Sequence, residues 1–309
     1  MFYSNEEFTV KNPMSTSSCC GSPSPSVVST PEQAVLERYK AGAQQFEPTL
    51  SCAVEYAPGV LENLPAEIIV KDYGCGDPTA YVNSGERVVD LGSGAGKNCY
   101  ILAQKVGAEG AVIGIDFNDE MLALSRKYQG EMAEKLGYKN VEFYKAKIQD
   151  LALDLNLVAD YLQTQPIASL EDWWNFEAVC DRFRQERPLI PSDSVDVVVS
   201  NCVLNLVQPK DKKQLFTEIY RILKPGGRAV ISDIVSDRDP TPEMMADPDL
   251  WSGCISGAFR EDQFPLQFTE AGFKPIEILV RQSEPWQVVE GIEFRSVTLR
   301  AYKPAAQCC

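Results

Sequence analysis

Val88-Val89-Asp90-Leu91-Gly92-Ser93-Gly94-Ala95-Gly96 is a run of aliphatic residues that breaks directly into alternating glycines. Such a stretch reads as a buried strand turning into a helix, with glycines that let the backbone curl against a ligand where a Cβ would clash. The spacing is Gly-x-Gly-x-Gly. The Gly-x-Gly-x-x-Gly that sets a helix N-terminus against a pyrophosphate is not present here, so a dinucleotide is the less favoured ligand. Further on, the run Val112–Ile115 ends at Asp116, where a carboxylate can accept both hydroxyls of a ribose.

Working outward, strands are predicted over 87–91, 111–115, 141–144, 195–200, 228–232, 275–280 and 293–302, with amphipathic segments between most of them. That alternation predicts an α/β fold with a Rossmann-like, doubly wound and mostly parallel sheet. The last two runs leave no room for a helix, so the final strand is expected to return antiparallel at the sheet's edge. Upstream, Thr30-Pro31-Glu32-Gln33 resembles a capping box, and Leu36, Tyr39, Ala43 and Phe46 follow at helical spacing.

The expected organisation is a flexible cysteine-containing tail over 1–29, a helical and loop segment over 30–84, a main domain over 85–303 and a short tail over 304–309. Residues 151–191, with Trp173, Trp174, Phe176 and Phe183 among charges, read as a helical insert serving as a lid or a partner surface.

Composition narrows the function. A formal charge of -15 over 309 residues repels phosphate backbones, so a nucleic-acid partner is disfavoured. No apolar run approaches the roughly 20 residues that cross a bilayer, and the first residues lack the basic and apolar regions of a secretory signal. A cytoplasmic, reducing location without membrane attachment is therefore expected. In that setting ten cysteines need an explanation other than disulfides, and the absence of histidine removes the commonest general base.

Four cysteines stand in distinctive surroundings: Cys52 in Leu-Ser-Cys-Ala-Val, Cys75 in Tyr-Gly-Cys-Gly, Cys202 in Ser-Asn-Cys-Val-Leu-Asn-Leu and Cys254 in Gly-Cys-Ile-Ser-Gly-Ala. None forms a Cys-x-x-Cys pair, which argues against a zinc ribbon. Cys202 follows the fourth strand, at the edge where open α/β sheets bind ligands. Cys99 and Cys180 read as small buried side chains. The pairs Cys19-Cys20 and Cys308-Cys309 read as tail thiols that capture a thiophilic ligand or are merely exposed.

Asp90, the Gly92/Gly94/Gly96 turn, Asp116 and Leu223-Lys224-Pro225-Gly226-Gly227 occur in the order found in class I S-adenosylmethionine-dependent methyltransferases. With the phrases around Cys75, Cys202 and Cys254, the chain resembles the arsenite methyltransferases within that class. The resemblance extends to the variant of bacterial arsenosugar biosynthesis, with arsenic detoxification as the sister role. It departs from the family pattern in the 151–191 insert and in carrying no substantial domain after Arg300.

The resemblance implies a seven-stranded methyltransferase sheet with S-adenosylmethionine held by Asp90, Gly92, Ser93, Gly94, Gly96, Asp116, Phe117, Met121, Ile148, Gln149 and Asn201. It further implies that Cys202 and Cys254 bind trivalent arsenic, with Cys75 joining them as a ligand. Cys75 and Cys52 would supply electrons by forming a disulfide, and an external thiol reductant, thioredoxin or glutathione, would restore them. Arsenite or methylarsenite would be the substrate. Two other readings remain open at this level: a methyltransferase for an organic small molecule, and a non-enzymatic thiol protein that sequesters metalloid.

Overall fold

The computed structural model describes residues 30–306 apart from 51 and 53, so the 1–29 tail with Cys19-Cys20 and the terminal Cys308-Cys309 lie outside the described residues. The strands are β1 Arg87–Leu91, β2 Ala111–Asp116, β3 Val141–Lys145, β4 Val195–Asn201, β5 Leu223–Ser236, β6 Phe259–Arg260, β7 Ile276–Arg281, β8 Gln287–Val289 and β9 Ile292–Tyr302. The helices are α1 Pro31–Gln44, α2 Ala66–Val70, α3 Lys97–Val106, α4 Asp119–Lys127, α5 Gln129–Leu136, α6 Leu155–Thr164, α7 Leu170–Glu186, α8 Pro209–Ile222, α9 Pro242–Ala246, α10 Pro248–Ser252 and α11 Phe264–Glu270.

The sheet runs β3-β2-β1-β4-β5-β9-β7, with β6 beside β5 and β8 beside β9. It is parallel from β3 to β5 and antiparallel where β9 joins β5 and β7. The chain steps outward from β1 to β3 and then crosses back to β4. A crevice is therefore left at the carboxyl ends of β1 and β4, the place where open α/β sheets take ligands.

The predicted strands all form, but β9 is antiparallel without being at the edge. It lies between β5 and β7, and β7 is the outer strand. Burial explains the exchange: β9 is mostly buried along its length, whereas β7 exposes Ile278 and Val280. The strands β6 and β8 were not predicted, since runs so short carry no readable periodicity. The Lys224-Pro225-Gly226-Gly227 stretch loops out of the ladder between the Val195–Leu223 and Val197–Arg228 pairs, with Gly226 at φ 84°.

Each face of the sheet carries its own apolar layer. On one, Leu215, Phe216, Ile219 and Ile222 of α8 pack with Phe264 and Phe268 of α11 against Val198 and Ile231. On the other, Tyr100, Ile101 and Leu102 of α3 meet Val88, Val197 and Val199. The α1 capping box forms as predicted, with Thr30 Oγ1 accepting from Gln33 N and Gln33 Oε1 accepting from Thr30 N. Of its predicted inner face, Ala43 is buried and Leu36 and Tyr39 are half-buried, but Val35 and Gly42 are buried with them and Phe46 lies beyond the helix end.

The 151–191 insert is an α6–α7 hairpin closed at its base by Leu189 N to Ala152 O and Ile190 N to Leu151 O, at 3.0 Å each. Tyr161 packs on Phe176 and Phe183 inside it, while Trp173 and Trp174 face outward. None of its residues lines the ligand crevice, so it is not a lid in this conformation. Among the described residues no helix is long and apolar enough to cross a membrane.

Phe268 is fully buried, edge-on to Phe216 at 4.8 Å, to Phe273 at 5.5 Å and to Phe264 at 5.7 Å. Truncation there removes packing on three sides, so Phe268→Ala is expected to lower unfolding free energy by about 3–5 kcal/mol, read from urea denaturation.

Candidate active site

Where β1 ends, Gly92 and Gly94 take φ 69° and 50°, which side-chain-bearing residues rarely adopt. A Cβ on Gly92 would stand 2.5 Å from Val203, whereas Gly94 opens onto free space. The turn is fixed from the next strand: Gly94 N donates to Asp116 Oδ2 at 2.8 Å, and Asn118 N donates to Oδ1 at 2.9 Å. Each carboxylate oxygen keeps a lone pair for a ligand hydroxyl. Burial pushes the Asp116 carboxyl upward, and those backbone donors pull it back in part.

The crevice encloses about 1070 Å³ including its mouth. Of the predicted cofactor residues, Gly92, Ser93, Gly94, Asp116, Phe117, Met121, Ile148, Gln149 and Asn201 line it. Asp90 and Gly96 do not. Asp90 points into the core, where its Oδ2 accepts from the Cys99 thiol at 3.2 Å. Gly96 is the α3 N-cap at φ 91°, where a Cβ would press on Phe143 and Ser125 at 3.0 Å. Both are buried for structural reasons, since strand and helix must pack closely beneath the turn.

Tyr39, Asp72, Tyr73, Asn98 and Asn118 also line the crevice and were not predicted. Asn98 had a readable signal, standing in the first helical turn after the glycines. Its Oδ1 and Ser93 Oγ are buried without a hydrogen-bond partner among the described residues, as expected of atoms that await a polar ligand. Tyr39 and Asn118 come together only through folding, with Asn118 Nδ2 donating to Leu36 O at 3.3 Å.

At one end of the crevice the four singled-out cysteines gather. Cys75, Cys202 and Cys254 are buried in one apolar cluster with Ile234, Met244 and Phe294, and half-buried Cys52 packs against it. Asn201 positions Cys75: its Oδ1 accepts from Cys75 N at 2.8 Å and Gly76 N at 3.1 Å, and its Nδ2 donates to Gly76 O at 2.7 Å. Asn201 is thus both crevice wall and clamp. Cys202 and Cys254 each sit at φ 63°, in the left-handed region. Asp233 steadies the Cys202 loop by accepting from Leu204 N at 2.9 Å, and Cys254 Sγ donates to Cys202 O at 3.3 Å.

The Cys202 thiol interacts with those of Cys254 and Cys75, and these contacts together with burial hold it well above the usual thiol range. Burial pushes up Cys75 as well, with the hydrogen bond to Cys202 pulling it back in part, and it pushes up Cys52, where the Cys75 and Cys254 thiols add to it. The thiols of Cys202, Cys75 and Cys52 are therefore protonated at neutral pH. The three cysteines expected as an arsenic set are neighbours, yet among the described residues no three acidic or cysteine side chains are arranged to hold one metal ion. Cys202, with a thiol on either hand, is the hub of a cluster that is not a preformed three-fold cage. Cys99 and Cys180 are buried away from it, as predicted.

A methyltransferase-domain family model matches residues 82–274. The arsenite methyltransferase of Halobacterium salinarum is 34% identical over 241 residues, 75% of this chain and 51% of its own. That of Aquipseudomonas alcaligenes is 32% identical over 252 residues, 79% of this chain and 62% of its own. The chain spans about half to three-fifths of the length of these relatives. An arsenic(III) S-adenosylmethionine methyltransferase from Chlamydomonas reinhardtii superposes with a TM-score of 0.64 at 28% identity, covering 82% of this chain and 76% of that one.

Burial raises both Asp90 and Asp233 to about 7. An unfolded aspartate titrates near about 3.9, so over the interval up to about 7 the folded chain binds more protons and stability falls as pH rises. Asp90→Asn keeps an acceptor for Cys99 and removes one of the two contributions. Its unfolding midpoint in urea should therefore drop less than that of the wild type between about pH 5 and pH 8.

Proposed function

The chain belongs to the methyltransferase-domain family, and from that premise we propose that it transfers the methyl group of S-adenosylmethionine to trivalent arsenic held on cysteine. One observation carries the reading: Cys202, whose thiol is flanked by those of Cys75 and Cys254, lines the same crevice as Gly92–Ala95 and Asp116.

The residues present suit the co-substrate. Asp116 would take the ribose hydroxyls, Phe117 and Met121 would flank the adenine, and Ile148 and Gln149 would meet its edge. The unpartnered Ser93 Oγ and Asn98 Oδ1 would serve its polar groups. When bound, S-adenosylmethionine supplies a methyl carbon made electrophilic by its sulfonium.

Arsenic(III) is soft and prefers sulfur. The thiols of Cys202 and Cys254 exchange with its hydroxyls, and the thiol protons leave as water. The protons released in this exchange leave in water, so it requires no histidine base. The arsenic lone pair then forms the bond to carbon while the carbon–sulfur bonding pair stays on the departing sulfur. Arsenic is thereby formally raised from trivalent to pentavalent.

Two electrons restore the trivalent state when Cys75 and Cys52 close a disulfide. The packing of Cys52 against the buried trio supports that pairing. A cellular thiol of the thioredoxin or glutathione class would reopen the disulfide by exchange. Arsenite and methylarsenite are the substrates in this scheme, and a reducing compartment such as the cytoplasm suits it.

The test is methyl transfer from labelled S-adenosylmethionine to arsenite with excess thiol, the arsenic species being separated by mass spectrometry. Wild type should yield methylated arsenic, and Cys202→Ser should bind S-adenosylmethionine yet yield none. Unmethylated arsenic with intact co-substrate binding would move the search to an organic acceptor. In the same preparation, Asp116→Ala should weaken S-adenosylmethionine about 10–100-fold by calorimetry, the scale of losing hydrogen bonds to a charged group.

A further inference from the structure

We infer that the phenol of Tyr39 is a substrate-recognition group, holding the one hydroxyl that arsenite retains once Cys202 and Cys254 have displaced the other two. The inference rests on the arsenic reading above and adds to it a residue outside the cysteine set.

Tyr39 lies on α1 and lines the crevice beside Cys202. Its oxygen stands 4.0 Å from Cys254 Sγ, the outer limit of a hydrogen bond to sulfur. That contact is the phenol's one hydrogen-bonding relation among the described residues, so a polar group closer by would take it over. Burial first, then the Cys254 and Cys202 thiols, push the phenol well above its usual range, so it keeps its proton and can donate.

The group is also held in place. The Tyr39 ring meets Tyr73 edge-on at 5.9 Å. One residue earlier, Arg38 Nη1 donates to Asp249 O at 2.8 Å and to Ser252 Oγ at 3.0 Å, tying α1 to the segment that leads into Cys254. Lys40 pairs with Glu120 on α4 at 2.7 Å, tying the same helix to the wall of the crevice. The phenol is therefore carried on an element braced from both the thiol side and the co-substrate side.

Trivalent arsenic has three ligands. Arsenite plus two thiols gives two waters and an arsenic that bears one hydroxyl. Methylarsenite plus the same two thiols gives two waters and an arsenic that bears methyl in that position. The first complex offers Tyr39 an oxygen, and the second does not. Tyr39 therefore favours the unmethylated substrate, and its contribution should disappear after the first methyl transfer.

The experiment compares Tyr39→Phe with wild type in kcat/KM for arsenite and for methylarsenite, with S-adenosylmethionine affinity and direct binding of each arsenical measured alongside. The expected result is a loss of about 5–10-fold on arsenite, the scale of one neutral hydrogen bond, and less than about twofold on methylarsenite, with S-adenosylmethionine affinity unchanged. Equal losses on both arsenicals, in turnover and in binding, would make Tyr39 a packing residue and overturn the inference, as would a weakened S-adenosylmethionine complex that accounts for the whole effect. Wild type that methylates neither arsenical would fail at the parent reading, an outcome distinct from active wild type with unaltered preference in the variant.

Discussion

The geometry of the thiol cluster depends on the carboxamide of Asn201. Its three hydrogen bonds to the backbone at Cys75 and Gly76 fasten a segment from before the sheet onto the carboxyl end of β4. Each such bond contributes about 1 kcal/mol, and together they fix a register that apolar packing alone would leave loose. The approach is so close that a Cβ at Gly74 would lie 2.3 Å from Asn201 Nδ2, and one at Gly76 would lie 2.7 Å from Ser232 Oγ. The Gly-Cys-Gly phrase is thus the imprint of that clamp. The glycines make room, and the cysteine between them is delivered to Cys202.

Cys202 and Cys254 show the same economy from the other side. A left-handed backbone costs a β-carbon-bearing residue about 1 kcal/mol or more, and glycine would relieve it. Both positions keep a side chain and both are over-determined by their neighbours: Cys202 N donates to Ser232 O, Cys254 N to Trp251 O, and Asp233 holds the loop beyond Cys202. Strain retained at two thiols that face each other is easier to understand as the requirement of a site than as packing, since a buried cysteine in ordinary backbone would pack as well.

Much of this was legible in the sequence because it rests on local rules. The β1 run, its glycines and Asp116 lie within one strand-turn-helix-strand unit, and the capping box of α1 is a four-residue pattern. What escaped depends on contacts between distant segments. Tyr39 reads as one more apolar position on a helix until α1 docks against the segment before Cys254. Asp90 sits where a cofactor residue was expected, but the pleat turns it inward to Cys99. The place of β9 inside the sheet follows from competition for burial between two strands whose runs look alike. Cys75 was found by its phrase, whereas Asn201, read as a cofactor residue, proved also to be the reason for that phrase.

Gly257 has so far stood only as part of the Cys254 phrase, but a Cβ there would fall 1.9 Å from the backbone oxygen of Asn205. The loops that carry Cys202 and Cys254 touch main chain to main chain at that point, with Lys212 Nζ capping Gly257 O at 2.6 Å. The mutational freedom of the site is therefore uneven. Variation among the side chains around the thiols can reshape what is accepted, but the seam between the loops admits no side chain, so any change in what the crevice accepts must come from its helix side.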